Sequence, residues 1–260
     1  MQCNKSLNDL CKKVELQPHR SIYWLNAKPD ELKEERIDDI CEVYHETSQK
    51  EDELVISVDE MTGIQALERI SDELPMSKGK PEAREFEYKR HGTQTVIAGF
   101  NVTTGEVNAV CGDTRKEDDF ASFIENTMND NPNYKKYHFV LDQLNTHKSE
   151  TLVQLVAKFI GDEQDLGIKG KKGILKSMKT REAYLMNAEH DIIFHYTPKH
   201  CSWLNQIEIW FGILMKNVIK RGSFTSKQDL KDKIFSFIDY FNETLAKPFT
   251  WTYRAKPLAQ

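Results

Sequence analysis

Two short apolar runs, each followed by an aspartate, constrain the fold of this chain more than any other feature. Leu54–Asp59 and Lys136–Leu141 are continuous apolar segments, and Asp142 follows the second. Runs of this length are typical of strands that are covered on both faces, as in sheets with helices on each side. Ligands bind at the carboxyl ends of such strands, so the two aspartates are candidates for one metal site. Aspartate also ends strands by capping the next turn, and for either residue alone that interpretation is favoured.

The remaining elements alternate between strand and helix patterns. The predicted elements are helices near Leu7–Val14 and Glu31–Tyr44, a hairpin of Thr95–Val102 and Glu106–Cys111, helices Lys116–Met128 and Ser149–Ile160, a strand Asp191–His195, and helices Asn205–Ile219 and Gln228–Leu245. This order predicts an α/β fold with a mixed sheet flanked by helices.

Composition excludes several classes of protein. No apolar run approaches the ~18 residues of a membrane span, and the first residues lack the apolar core of a signal peptide. The five cysteines form no CxxC pair, which fits reduced thiols and predicts a cytoplasmic location. A net charge of −5 does not exclude nucleic-acid binding, because binding depends on where the charge lies.

A third acid, Glu208, lies at the start of a predicted amphipathic helix, three residues after Asn205. It is either a metal ligand at the sheet edge or the acidic member of a capping box with Asn205, and the segment favours neither. The apolar stripe of this helix comprises Ile207, Trp210, Phe211, Leu214 and Val218. Helical spacing predicts that Trp210 and Phe211, together with Trp203, anchor the helix on the sheet.

Polar residues beside these acids are candidate hydrogen-bonding neighbours: Glu60, Asn145, His147, His200 and Asn205. Glu60 follows Asp59 directly, so on a strand it faces the opposite side. A lone histidine is more often a hydrogen-bonding residue than a metal ligand, and no pair has zinc spacing.

Six segments together resemble a known family. They are Ser57–Arg69, Arg84–Thr93, Leu141–Lys148, Thr197–Glu208, Arg221–Ser226 and Tyr240–Trp251, and they occur in the family's order. The chain resembles the catalytic region of DDE transposases, specifically the mariner-like bacterial insertion-sequence enzymes of the six-thirty group.

The resemblance implies an RNase H-like fold in which Asp59, Asp142 and Glu208 are the catalytic triad and bind two Mg²⁺ or Mn²⁺ ions. It also implies cleavage of double-stranded DNA at element ends and joining of the freed 3′-hydroxyl to target DNA. A homodimer on DNA, in the bacterial cytoplasm and without membrane contact, is the expected assembly.

Two departures from the family affect the predicted domains. Residues 1–50 are expected to be a helical remnant of a helix-turn-helix DNA-binding region with its linker, as in a truncated or frame-split copy, and residues 51–253 the catalytic domain. The last two acids are 66 positions apart, longer than usual in the family, and the excess falls in a basic insertion at residues 161–187.

The predicted DNA-contacting cations are Lys148 and, in the insertion, Lys169, Lys171, Lys172, Lys176, Lys179 and Arg181. Such a run is either a solvated loop or a phosphate-contacting surface, and the two interpretations carry equal weight. A second possible basic track includes Lys78, Lys80, Arg84, Lys89 and Arg90.

Three functions are compatible with these features. The favoured one is a transposase that cleaves DNA and transfers strands. The alternatives are an RNase H-like nuclease without strand transfer and an inactive, transposon-derived DNA-binding fragment. The presence of all three acids argues against the last.

Overall fold

A five-stranded mixed sheet is the centre of the computed structural model, which describes residues 30–253. The strands are β1 (Glu53–Arg69), β2 (Tyr88–Asn101), β3 (Val107–Gly112), β4 (Lys136–Leu141) and β5 (Ile192–Tyr196). Their order across the sheet is β3-β2-β1-β4-β5. The pairs β3–β2 and β2–β1 are antiparallel, whereas β4 runs parallel to both β1 and β5. This topology is the RNase H-like arrangement, so the predicted fold class is confirmed.

Helices cover both faces of the sheet. They are α1 (Lys33–His45), α2 (Glu117–Asn129), α3 (Glu150–Ile160), α4 (Met178–Leu185), α5 (Ile207–Leu214) and α6 (Lys227–Thr244). Residues of α1, α5 and α6 pack in one core cluster, and residues of α2, α3 and α4 pack in the other. None of the helices within residues 30–253 is long and apolar enough to cross a membrane.

The two-sided core explains why the central strands are apolar throughout. Leu54, Ile56 and Val58 belong to the cluster with α2 and α3, while Val55 belongs to the cluster with α5 and α6. Alternate side chains of a strand point to opposite faces, so a strand between two helical layers needs an apolar residue at nearly every position. Ser57 is the one buried polar residue within this run.

Strand β1 is longer than predicted. It continues past Asp59 to Arg69 and pairs with β2 over that length, while its pairing with β4 ends at Ser57↔Val140. Asp59 therefore does not end the strand, but it lies just beyond the last pair that β1 forms with β4. Asp59 does follow the apolar run Leu54–Val58, as predicted, although Ile64 and Ala66 farther along β1 are also buried.

Two helical features differ from the predictions. The helix expected from Asn205 begins at Ile207, and its last residues, Met215–Ile219, form a π-helical turn. Helix α4 is not among the predicted elements; it lies inside the basic insertion and is capped by Ser177, whose Oγ accepts a hydrogen bond from the Thr180 N–H. Its eight residues are too few to show a helical apolar stripe, so periodicity could not reveal it.

Helix α1 is part of the core, since Ile40, Val43 and Tyr44 are buried in the cluster with α5 and α6. This confirms the second predicted N-terminal helix, whereas the helix predicted near Leu7–Val14 lies outside the described residues. The domain boundary expected at residue 50 falls within the compact unit that begins at Leu32.

A chain of four polar side chains, with two buried histidines at its centre, joins α1 to three strands. Glu53 contacts His138 (3.1 Å), His138 Nδ1 lies 3.0 Å from His195 Nε2, and His195 Nδ1 lies 2.8 Å from Asp39. Burial, followed by the charge of His195, lowers the pKa of His138 to about 4. His138 is therefore neutral at pH 7, and the chain of contacts fixes α1 against the sheet.

The aromatic anchor of α5 is confirmed in part. Trp210 and Phe211 are 1% and 5% exposed and lie in the core, as predicted. Trp203 is 48% exposed; it stacks on Trp251 with ring centroids 6.2 Å apart and contacts Tyr253 edge-on. Its predicted role as an anchor of the helix is wrong, because Trp203 lies in a separate turn before the helix begins.

Candidate active site

Asp59 and Asp142 lie side by side at the edge of the parallel part of the sheet. Ser57 and Val140 are register partners, and each aspartate follows its partner residue by two positions. Asp59 therefore projects from the face on which α5 packs, and Asp142 is the first residue after β4, close enough for its charge to act on Asp59. The structure thus brings together the first two predicted acids.

Asp59 is the carboxylate whose proton affinity is most perturbed at this edge. Its Oδ1 accepts a hydrogen bond from the Glu60 N–H (2.7 Å) and its Oδ2 accepts one from Asn205 Nδ2 (3.2 Å). Burial, and then the negative charges of Asp142 and Glu60, raise the pKa of Asp59 to about 7 despite these hydrogen bonds. Ionising this carboxyl in the free protein is therefore unfavourable near neutral pH.

The pKa of Asp142, unlike that of Asp59, is lowered, because a cation lies next to Asp142. His147 Nδ1 donates to Asp142 Oδ1 at 2.8 Å, and the Leu144 N–H donates to the same oxygen at 2.9 Å. Burial alone would raise the pKa of Asp142, but the hydrogen bond and charge of His147 outweigh it and lower the pKa. With its side chain 45% exposed, Asp142 is an ionised and accessible carboxylate.

His147 is a buried cation between two acids. Its other ring nitrogen, Nε2, contacts Glu60 Oε1 at 3.1 Å, and the side chain of Glu60 is only 2% exposed. Burial would lower the pKa of His147, but Asp142 and Glu60 together raise it to about 10. Glu60 thus faces away from the metal-binding edge and holds His147, which in turn orients Asp142.

The pair of aspartates fits a divalent cation. Carboxylate oxygens are the hard ligands that Mg²⁺ and Mn²⁺ prefer. The raised pKa of Asp59 reflects a negative group that is buried beside other negative groups, a situation that a bound cation relieves.

This geometry makes a testable prediction about pH and stability. The folded-state pKa of Asp59, about 7, exceeds its ordinary value of 3.8, so the folded protein loses stability as pH rises from about 4 through 7. We expect this loss, on the order of 2–4 kcal/mol, to be absent in Asp59→Asn when chemical unfolding is followed in EDTA at pH 4.5 and pH 8. Parallel pH profiles for the two proteins would contradict the assignment.

Glu208 is not assembled with the two aspartates. Its side chain is exposed, and within residues 30–253 no group of three or more His, Cys, Asp or Glu side chains is placed to hold a metal ion. It nevertheless lies one helical turn after Asn205, which contacts Asp59 directly. The start of α5 is therefore held at the same edge as Asp59.

Two predicted neighbours are not at the site. Asn145 is exposed, and its side chain has no hydrogen-bond partner in the described part of the chain. His200 is also exposed, with a left-handed backbone (φ 62°), and contacts neither Glu208 nor the aspartates.

Lys148 and Arg181 are buried, which corrects their assignment as DNA contacts. Lys148 forms an ion pair with Glu182 at 2.9 Å and lies over the ring of Tyr196 at 4.5 Å. Arg181 Nε donates to the Lys148 carbonyl oxygen at 2.6 Å. Arg36 completes this group through Glu182 at 2.7 Å. Helix α4 of the insertion thus supports the loop that carries His147.

The other lysines of the insertion remain on the surface. Lys172 pairs with Asp165 at 2.9 Å, and Lys169 lies 3.4 Å from Glu117. Lys171, Lys176 and Lys179 are exposed and have no acidic partner within the described residues.

Sequence reasoning missed Ser57 and Glu182. Ser57 could have been found, because a polar residue inside an apolar strand must have a buried partner. No feature of the sequence around Glu182 indicated a buried partner, because its helix was not predicted and the residue looks like an ordinary surface acid.

Comparisons with known proteins identify a family for most of the chain. The sequence model of the family described as DDE superfamily endonuclease matches residues 54–231, which include all three acids. No match is found among curated proteins.

Solved structures with detectable similarity include transposases. The catalytic domain of Mos1 mariner transposase is 9% identical over 83% of this chain and 85% of that one, with a TM-score of 0.46. A pre-cleavage Mos1 transpososome is 10% identical over 90% of this chain, with a TM-score of 0.46. The Mos1 Strand Transfer Complex is 9% identical over 90% of this chain, with a TM-score of 0.48. The chain spans 63% and 62% of the Mos1 chains in the last two structures.

Proposed function

The chain belongs to the DDE superfamily endonuclease family, and from this premise we propose that it is a transposase that cleaves double-stranded DNA and joins the freed 3′-hydroxyl to a target. The observation that carries the proposal is the placement of Asp59 and Asp142 at matching positions on two parallel strands, beside the helix that carries Glu208.

We assign the metal ligands to Asp59, Asp142 and Glu208. Mg²⁺ or Mn²⁺ ions held there would supply Lewis-acid activation of the phosphodiester. Asp142 would contribute an ionised carboxylate and Asp59 a second one, and Glu208, in the first turn of α5, would be the third ligand.

The surrounding residues keep these carboxylates in place. His147 donates to Asp142 and is itself held by Glu60. Asn205 donates to Asp59. Neither His147 nor Asn205 is exposed, so their part is to orient the acids and not to contact DNA.

The proposed partners are element-end and target DNA, bound by a homodimer of the chain. The support for the dimer is the resemblance to mariner-like enzymes, which act on two element ends. Light scattering of the chain with and without a short duplex tests this part directly.

The function is tested with supercoiled plasmid and a labelled duplex that ends in a 3′-hydroxyl, each incubated with the purified chain in Mg²⁺, Mn²⁺ or EDTA. We expect metal-dependent nicking and covalent transfer of the label to plasmid. Nicking without transfer would identify a nuclease that does not join strands. DNA binding without either product would identify an inactive DNA-binding fragment.

We further propose that the exposed lysines of the insertion contact the DNA backbone. Changing Lys171, Lys172 and Lys176 to Glu should weaken binding to any duplex and flatten the salt dependence, since log K changes by about 0.9 per phosphate contact and log unit of salt. Fluorescence anisotropy at several salt concentrations measures both effects.

The matched control changes Lys78 and Lys80 to Glu, because these residues are exposed in the segment between β1 and β2. If the salt dependence of DNA binding changes only in this control variant, DNA contacts the segment between β1 and β2 and not the insertion.

A further inference from the structure

A serine hydroxyl buried beneath the aspartates connects the two parts of the candidate site. Ser57 is fully buried in β1, two residues before Asp59 and on the same face. Asn205, which is 1% exposed, lies against it from the turn before α5.

The hydrogen bonds of this pair are complete. Ser57 Oγ accepts from the Ile207 N–H at 3.0 Å and donates to Asn205 Oδ1. Asn205 Nδ2 donates to the Val58 carbonyl oxygen at 3.1 Å and to Asp59 Oδ2 at 3.2 Å. Each donor and acceptor of the two side chains therefore has a specific role.

This pattern favours one orientation of the Asn205 amide. Ser57 Oγ accepts from the Ile207 N–H, and its single hydrogen donates to Asn205 Oδ1. A reversed amide would place Oδ1 against the Val58 carbonyl oxygen, which only accepts. The serine hydroxyl and the Val58 carbonyl together therefore favour the orientation in which Asn205 presents an N–H to Asp59.

The same contacts set the position of α5. The Ile207 N–H is one of the first donors of that helix, and such groups have no partner within the helix. Its bond to Ser57 ties the helix start to β1, and Glu208 is the next residue. Tyr44 of α1 adds a third support by donating its hydroxyl to the Leu204 carbonyl oxygen at 2.8 Å.

We propose that Ser57 is a positioning residue for metal binding: through Asn205 it orients the Asp59 carboxylate, and through the Ile207 N–H it sets the distance between Asp59 and Glu208. This inference rests on the proposed metal-dependent function. Ser57 itself lies too deep to touch a metal ion or DNA.

The test measures Mn²⁺ binding to the full chain by electron paramagnetic resonance, without DNA, next to thermal unfolding in EDTA. Partners of metal ligands typically contribute 10–100-fold to metal affinity, so Ser57→Ala should weaken Mn²⁺ binding by about that factor. Ser57→Thr keeps the hydroxyl and should bind Mn²⁺ like the wild type, even though its extra methyl lowers the melting temperature.

The control is Thr127→Val, which removes another fully buried hydroxyl. Thr127 lies in α2, on the other side of the sheet from α5, and its Oγ1 accepts a hydrogen bond from Asn108 Nδ2 at 2.7 Å. We expect this variant to melt at a lower temperature and to bind Mn²⁺ normally. If Ser57→Ala does not fold, Ser57→Cys, whose thiol is a weak donor, should show an intermediate loss of Mn²⁺ affinity.

Normal Mn²⁺ affinity in a folded Ser57→Ala or Ser57→Cys protein would overturn the inference and leave the proposed function intact. Weakened binding in Ser57→Thr as severe as in Ser57→Ala would overturn it as well, because the hydroxyl would then not be the cause. A wild-type chain that binds no Mn²⁺ would overturn the metal-dependent function and this inference with it.

Discussion

Asp142→Asn is expected to abolish metal-dependent DNA cleavage, with a loss of at least about 10³-fold in rate, while the protein stays folded. The change removes an ionised carboxylate from a site where charge stabilisation of the reacting phosphate supplies several kcal/mol. The fold should persist because the Asp142 side chain is 45% exposed and His147 keeps Glu60 as a partner. Plasmid nicking in Mn²⁺ and thermal unfolding measure the two properties.

The control for this variant is Asp239→Asn, which neutralises an exposed aspartate on α6, away from the insertion. The loss of one exposed surface charge should leave nicking unchanged. Nicking by Asp142→Asn at the wild-type rate, with the usual metal requirement, would remove Asp142 from the proposed catalytic group.

The second large effect concerns stability. His147→Leu should lower the free energy of unfolding by about 3–5 kcal/mol, because it leaves the buried carboxylate of Glu60 without its cation. The side chains of His147 and Glu60 are 0% and 2% exposed, so water cannot replace the lost contact. Urea unfolding at pH 6 measures the difference.

Two further measurements separate this cause from simple loss of packing. Glu60→Leu combined with His147→Leu should recover most of the stability, since two apolar residues replace a buried ion pair. The contribution of His147 should be complete below about pH 6.5 and disappear as pH rises through about 10, because its pKa is raised in the folded protein. A double variant as unstable as His147→Leu alone would refute the ion-pair explanation.

Local patterns in the sequence were sufficient to predict most of the fold. Strand β4 has the predicted bounds, and β5 and helices α2, α3 and α6 differ from the predictions by only a residue or two. Apolar periodicity depends on which side chains face the core, and this information is local. The same reasoning predicted that Asp59 and Asp142 lie at one sheet edge, because parallel strands bring their carboxyl ends together.

The sequence could not show which charged residues are buried. Lys148 and Arg181 resemble surface cations in a basic stretch, but Glu182 and backbone carbonyls hold them inside the protein. Arg181 and Glu182 themselves belong to α4, whose eight residues have no amphipathic pattern. Trp203 was misplaced for a related reason: the apolar spacing of α5 was extended into a turn that precedes the helix.

What the sequence determined by itself is the α/β architecture, the covered central strands and the nearness of the two aspartates, because each follows from the order and polarity of neighbouring residues. Only the tertiary structure decided how the acids are held. Asn205 contacts Asp59 although the two are 146 positions apart in the sequence, and His147 contacts Glu60 although those two are 87 positions apart. Hydrogen bonds and ion pairs depend on positions within a few tenths of an ångström, and only the packing of distant elements sets such positions.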